Sequence, residues 1–376
     1  MWAKEQHVAE VQNSRRLVEL TGFGSNPGAL RSWLYLPTIF APGASLVVVL
    51  HGCTQNAATY DHGAGWTQLA EEKGFAVLFP EQQRANNANL CFNWFEPGDT
   101  SRDSGEALSI REMIGHVVQS HGMNSRSVHI TGLSAGGAMA NVMLATYPEV
   151  FAGGAIIGGL PFGVAAGVGQ AFERMQGRNP PSERTLQSAL AAAAPNSGDW
   201  PTISIWHGTH DQTVKPVNAA QSVTQWIGAH GAPEALHVVE DLKGHIRKAW
   251  RDENGREAVE LYLISGMSHG VPLAATAAAP LGNAGPFMLE TGISSTARIA
   301  RGWGLATEED VARVESSAGH AARPAADPHG IKGIVAKAME YVAPKRRAKR
   351  AEAGVDTSQG VTKVINDALR AAGLMR

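Results

Sequence analysis

The chain predicts an α/β fold built on a doubly wound, mostly parallel sheet with helices on both faces. Three observations lead there. From about residue 31 to residue 263, short β-branched runs alternate with longer helical stretches. Several of the runs are apolar at every position, as in Leu46-Val47-Val48-Val49-Leu50, which fits strands covered on both faces. The helical stretches end on stop signals, Pro148 after one and Gly231 after another.

Taken in order, strands are expected at 32–36, 46–50, 75–79, 128–131, 154–157, 203–206 and 260–264. Helices are expected at 104–120, 138–147 and 218–230. Two segments break the rhythm. Residues 160–200 hold Gly-rich turns, Asn179-Pro180-Pro181 and an Ala-rich helix at 182–194, enough for a small cap inserted between two strands. Residues 265–292 form an apolar loop rich in Gly, Pro and Ala with no clear period, and long loops of this kind are usually functional or mobile.

At 376 residues and 44% hydrophobic content the chain can bury a full core, and one large domain, 1–305, with an appendage is expected. The appendage, 306–376, carries 12 Lys or Arg against 9 Asp or Glu and includes Pro344-Lys345-Arg346-Arg347-Ala348-Lys349-Arg350. Helix-like runs at 331–342 and 358–372 mark it as a basic helical C-terminal extension, either a solvated tail or an arm for anionic or granule surfaces. The net charge of −2 points to no nucleic acid. No apolar run approaches the roughly 20 residues of a membrane-spanning helix. The mixed polar N-terminus shows no secretory signal, so a cytoplasmic protein is expected unless a leader was removed. Cys53 and Cys91 are too few for a disulfide scaffold, and two buried thiols are the default.

The chemistry begins at Gly132-Leu133-Ser134-Ala135-Gly136, which follows an apolar run and opens a helix-like stretch. Strand, G-x-S-x-G, helix describes a nucleophile elbow, in which a serine is lifted off the backbone at a strand tip. With 42 glycines in the chain the motif alone could arise by chance, so its context carries the weight. In such folds the acid and then the histidine follow the nucleophile. Asp211 lies past the run Ile203-Ser204-Ile205-Trp206, where a carboxylate can fix the tautomer of a base. Of the histidines downstream, His269 alone follows directly on a strand, inside a Gly-Met-Ser-His-Gly turn, whereas His245 reads as an exposed turn. Ala135 offers one oxyanion N–H and Cys53 or Thr54 the other, from the loop after 46–50. His51 reads as a structural residue holding that loop. His207 and His210 beside Asp211 could hint at a metal, but zinc demands three or four convergent ligands, so no metal and no cofactor are expected.

Together, His51-Gly52-Cys53-Thr54-Gln55, Cys91-Phe92-Asn93-Trp94-Phe95, the elbow with Gly137, Gly159-Leu160-Pro161 and Trp206-His207-Gly208-Thr209-His210-Asp211 resemble the polyhydroxybutyrate depolymerase family of esterases. That family is close to the feruloyl and acetylxylan esterases of the same α/β-hydrolase group. The resemblance implies an α/β-hydrolase fold and a Ser134, Asp211, His269 triad, with Cys53 and Ala135 as oxyanion donors. It implies that Asn93, Trp94, Leu160 and Pro161 line the substrate cleft, and it puts Cys53 and Cys91 both near the active site, close enough for a disulfide as an alternative to two free thiols. It implies a serine carboxylesterase acting on short-chain hydroxyalkanoate esters, with aryl or carbohydrate esters as an alternative. A granule-binding protein with a vestigial hydrolase core is the competing reading. Three departures bear on the substrate. His269-Gly270-Val271-Pro272 lacks the tryptophan common after the base, no β-rich binding module follows residue 305, and no signal peptide is visible.

Overall fold

Ten strands form one sheet in a computed structural model that describes residues 17–195, 198–233 and 237–316. They are β1 (Val18–Glu19), β2 (Arg31–Tyr35), β3 (Leu46–Leu50), β4 (Ala76–Glu81), β5 (Val128–Leu133), β6 (Gly153–Ile157), β7 (Thr202–Gly208), β8 (His237–Leu242), β9 (His245–Arg251) and β10 (Glu257–Ile264). Their order is β1-β2-β4-β3-β5-β6-β7-β10-β9-β8. The central six, β4 to β10 in that order, run parallel; β1, β2, β8 and β9 pair antiparallel at the two edges.

Period-2 alternation divides the core into two layers. Val48, Ile130, Ile156 and Ile205 point to one face, where they meet helices α3 (Gly105–His121), α4 (Ala135–Thr146) and α7 (Val217–Ala229). Val47, Val49, Ile157 and Trp206 point to the other, toward α1 (Ala57–Ala64), α2 (Trp66–Lys73), α8 (Ser295–Gly302) and α9 (Glu308–Val314). Every residue of β3 is buried, and each such aliphatic side chain contributes about 1.5–3 kcal/mol relative to exposure. This is the doubly wound sheet that the apolar runs call for. The inserted segment supplies α5 (Val168–Met175) and α6 (Glu183–Ala193), the latter capped by Ser182 Oγ on Thr185 N–H.

Three features differ from the sequence-based expectation. Residues 237–251 form a hairpin, and His245 begins a strand rather than an exposed turn. Its Nε2 lies 3.1 Å from Thr291 O and its Nδ1 accepts from Ser265 N–H. The strand was masked by Arg247, which turns inward and pairs with Glu240, Glu257 and Glu260 beside Tyr262 Oη. The 265–292 loop contains a small parallel pair, β11 (Val271–Leu273) with β12 (Met288–Glu290). The core also continues past residue 305. Val311 and Val314 are buried in the second layer and Glu315 pairs with Arg298 at 2.7 Å. The helix-like runs at 331–342 and 358–372 and the basic stretch 344–350 lie outside the described residues. Among the described residues no helix is long and apolar enough to cross a membrane.

Candidate active site

Ser134 stands between the end of β5 and the first turn of α4 with φ 57° and ψ −119°, a conformation that costs a non-glycine residue about 1–3 kcal/mol. The surroundings impose it. Ser134 N–H donates to Ile157 O at 2.8 Å, tying the turn to β6. A Cβ on Gly136 would stand 2.4 Å from both Leu50 O and His51 O, and one on Gly132 would stand 2.4 Å from Gly136 O. The two motif glycines therefore let the head of α4 settle against the end of β3, which brings the elbow beside the Gly52-Cys53 loop.

That loop is held from several sides. Cys53 and Cys91 form a disulfide across 38 positions, in place of the two buried thiols that are the default for so few cysteines. His51 Nδ1–H donates to Gly52 O at 2.8 Å and Nε2 accepts from Gln82 N–H at 3.1 Å, so the ring is a structural strut. Burial pushes its pKa down, which keeps it neutral. Thr54 N–H is committed to Asn89 O at 2.7 Å. Among the described residues, the N–H groups of Cys53 and Ala135 take part in no hydrogen bond, so of the two loop candidates Cys53 is the one with an uncommitted donor.

The acid and base loops are laced together. A Cβ on Gly208 would fall 2.2 Å from Met267 O, and His210 N–H donates to Met267 O at 3.0 Å. This approach places His269 Nδ1 2.6 Å from Asp211 Oδ2. Asp211 Oδ1 accepts the N–H groups of Thr213 and Val214, each at 2.9 Å. Burial alone would raise the Asp211 pKa, but the hydrogen bonds of His207 and His269 and the charges of both rings outweigh it and hold the carboxyl well below the usual range. His269 is buried and its Nε2 has no partner. Gly158 leaves room for the ring, since a Cβ there would approach His269 Cε1 at 3.2 Å.

The expected cleft residues divide. Trp94 and Leu160 pack with Ala135, Ala138, Val164 and Leu186 in one apolar cluster that Cys53 and Cys91 border. Pro161 is buried next to Leu160. Asn93 Oδ1 instead accepts from Asn87 Nδ2 at 3.0 Å, which commits that oxygen to the loop itself. His210 is exposed with Nδ1 3.2 Å from Thr209 Oγ1, whereas His207 is buried.

Sequence reasoning missed Glu106. Fully buried in the first turn of α3, it accepts from Gln82 Nε2 at 2.5 Å and from Asn93 N–H at 2.9 Å, while Gln82 Nε2 also reaches Cys91 O. Glu106 therefore anchors the loop that carries Cys91, Asn93 and Trp94. Burial pushes its pKa up to about 8. Between the ordinary carboxylate value and pH 8 the unfolded chain has released this proton and the folded protein retains it. Native stability thus falls with rising pH across that window, by at most about 1.4 kcal/mol per pH unit. In Glu106→Gln this contribution is absent. Unfolding titrations from pH 5 to pH 8 are expected to show the wild type losing ground steadily to the variant, and parallel curves would refute the assignment.

The family described as "Esterase PHB depolymerase" matches residues 30–240. The chain is 40% identical over 294 residues to the "Poly(3-hydroxyalkanoate) depolymerase C" of Paucimonas lemoignei, covering 77% of this chain and 70% of that one. It is 29% identical over 267 residues to the "Feruloyl esterase B" of Talaromyces stipitatus, covering 68% and 72%. Among solved structures, the acetyl xylan esterase from Aspergillus awamori superposes with a TM-score of 0.66 at 23% identity, over 77% of this chain and 99% of that one. The chain belongs to the esterase PHB depolymerase family and is an ester hydrolase with the α/β-hydrolase fold.

Proposed function

We propose that the protein is a serine carboxylesterase that hydrolyses short-chain hydroxyalkanoate esters, oligomeric or polymeric 3-hydroxybutyrate, through an acyl-enzyme on Ser134. The observation that carries the reading is the buried His269, whose Nδ1 is engaged by Asp211 at 2.6 Å while Nε2 stays open. Nε2 takes the Ser134 proton as Oγ attacks the ester carbonyl, and the Cys53 and Ala135 N–H groups receive the oxyanion. His269 then protonates the leaving alcohol and activates water for deacylation.

The substrate class draws on two observations. The cluster of Trp94, Leu160, Val164 and Leu186 offers an apolar wall suited to a short alkyl chain, and the 40% identical relative is named for poly(3-hydroxyalkanoate). Feruloyl or acetyl esters are the second reading, favoured by relatives of those names at 28–31% identity. Mass spectrometry after treatment with a fluorophosphonate should find the adduct on Ser134. A panel of 3-hydroxybutyrate oligomers, feruloyl esters and acetylated xylose should then rank the oligomers first by kcat/KM. A feruloyl or acetyl preference would transfer the assignment to the second reading.

The disulfide enters the same proposal, because it borders the oxyanion loop and favours an oxidising setting over the reducing cytosol. Removing a bridge across 38 positions costs about 4 kcal/mol in the chain-entropy account. Cys53→Ser with Cys91→Ser is expected to lower both the unfolding midpoint and kcat. Two titratable thiols in the untreated native protein would remove the bridge from the argument.

A further inference from the structure

His207 has no part in the triad, yet it is the second ring on the triad's carboxylate. It is fully buried at the end of β7, and its Nε2 lies 2.8 Å from Val214 O and 3.3 Å from Asp211 Oδ2. A carbonyl oxygen only accepts, so Nε2 carries the proton and Nδ1 is the bare nitrogen. Nδ1 is buried and meets no donor. The Nε2–H bonds the carbonyl of the 211–214 turn and also stands 3.3 Å from the same carboxylate oxygen that engages His269.

We infer that His207 is a positioning residue that clamps the 211–214 turn and, by donating to Asp211 Oδ2, restrains the pull of the carboxylate on the His269 proton. The inference rests on the acyl-enzyme reading above. Its physical content is competition at one oxygen. Two donors on Oδ2 each draw on the same negative charge, so the charge available to stabilise a protonated His269 is smaller than Asp211 alone would supply. The base then stays neutral, and able to accept the Ser134 proton, to lower pH. Besides the two rings, the polar groups nearest the turn are otherwise engaged: Thr213 N–H and Val214 N–H donate to Asp211 Oδ1, His210 faces Thr209, and Lys215 Nζ is bonded to Gln212 Oε1.

The test is the acid limb of kcat/KM against pH for p-nitrophenyl butyrate hydrolysis in two variants. His207→Gln keeps an N–H donor near the position of Nε2, whereas His207→Phe fills the same space without one. The wild type and the glutamine variant should share one acid limb. In the phenylalanine variant the limb should move to higher pH by roughly 1–2 units, the size expected from losing one hydrogen bond to a charged group. A residue that only packs would lower activity at every pH and leave the limb in place. An unmoved limb in a folded phenylalanine variant overturns the inference, as does an equal shift in both variants. Should His207→Phe not fold, the shorter His207→Asn is compared with glutamine in the same profile. Fluorophosphonate labelling of Ser134 in each protein keeps the two questions apart. Labelling with an unmoved limb defeats the role of His207 alone, whereas failure to label the wild type defeats the acyl-enzyme on which it depends.

Discussion

Ser134→Ala is expected to reduce kcat for p-nitrophenyl butyrate by about 10⁵–10⁶-fold while leaving the fold intact. The loss is large because no neighbouring group can replace Oγ at the elbow. The fold survives because alanine presents the same Cβ to the same surroundings, so the φ of 57° and the bond from the residue 134 N–H to Ile157 O are retained. The unfolding free energy should stay within about 0.5 kcal/mol of wild type. Substrate affinity should persist as well, since the Cys53 and Ala135 N–H groups belong to the backbone. Steady-state kinetics with a calorimetric scan checks all three, and near-wild-type turnover would end the serine mechanism.

The parts of this site that were legible in the sequence are those whose chemistry allows few residue types. Gly132 and Gly136 are written into the chain because an added Cβ would stand 2.4 Å from a carbonyl oxygen. Asp211 and His269 could be picked out because each follows a strand in the order that the elbow requires. The strands themselves were legible where both faces are buried, as in β3. What escaped were groups whose burial depends on distant partners. Glu106 opens a helix and reads as part of a solvated first turn; only the fold brings Gln82 and Asn93 onto it. The hairpin of β8 and β9 hides behind Arg247, a charge that turns inward because three carboxylates meet it there. His207 drew notice only for a metal pairing that too few ligands ruled out, since nothing local announces that Val214 O takes its proton.

Asp211→Asn carries the second large effect, an expected fall in kcat of about 10⁴-fold, the magnitude seen when a triad acid becomes an amide. The reason lies in what faces the carboxylate. Thr213 N–H and Val214 N–H donate to Oδ1, and His269 Nδ1–H donates to Oδ2 with His207 Nε2–H close by. Every group around Asp211 is a donor. An asparagine brings two N–H groups of its own, so either it opposes the backbone donors or it opposes His269. In the second case the ring flips its proton to Nε2, the nitrogen that has to be bare to accept the Ser134 proton. The same contacts set the acid stability. Because the folded carboxyl is held below its ordinary value, Asp211 contributes stability that is fully present above about pH 4 and is lost as pH falls further. The wild type should therefore unfold later than the variant at pH 7, and the two midpoints should converge as pH drops below about 4. Kinetics within tenfold of wild type, or midpoints that keep their separation into acid, would show that Asp211 does not hold His269 in the assigned tautomer.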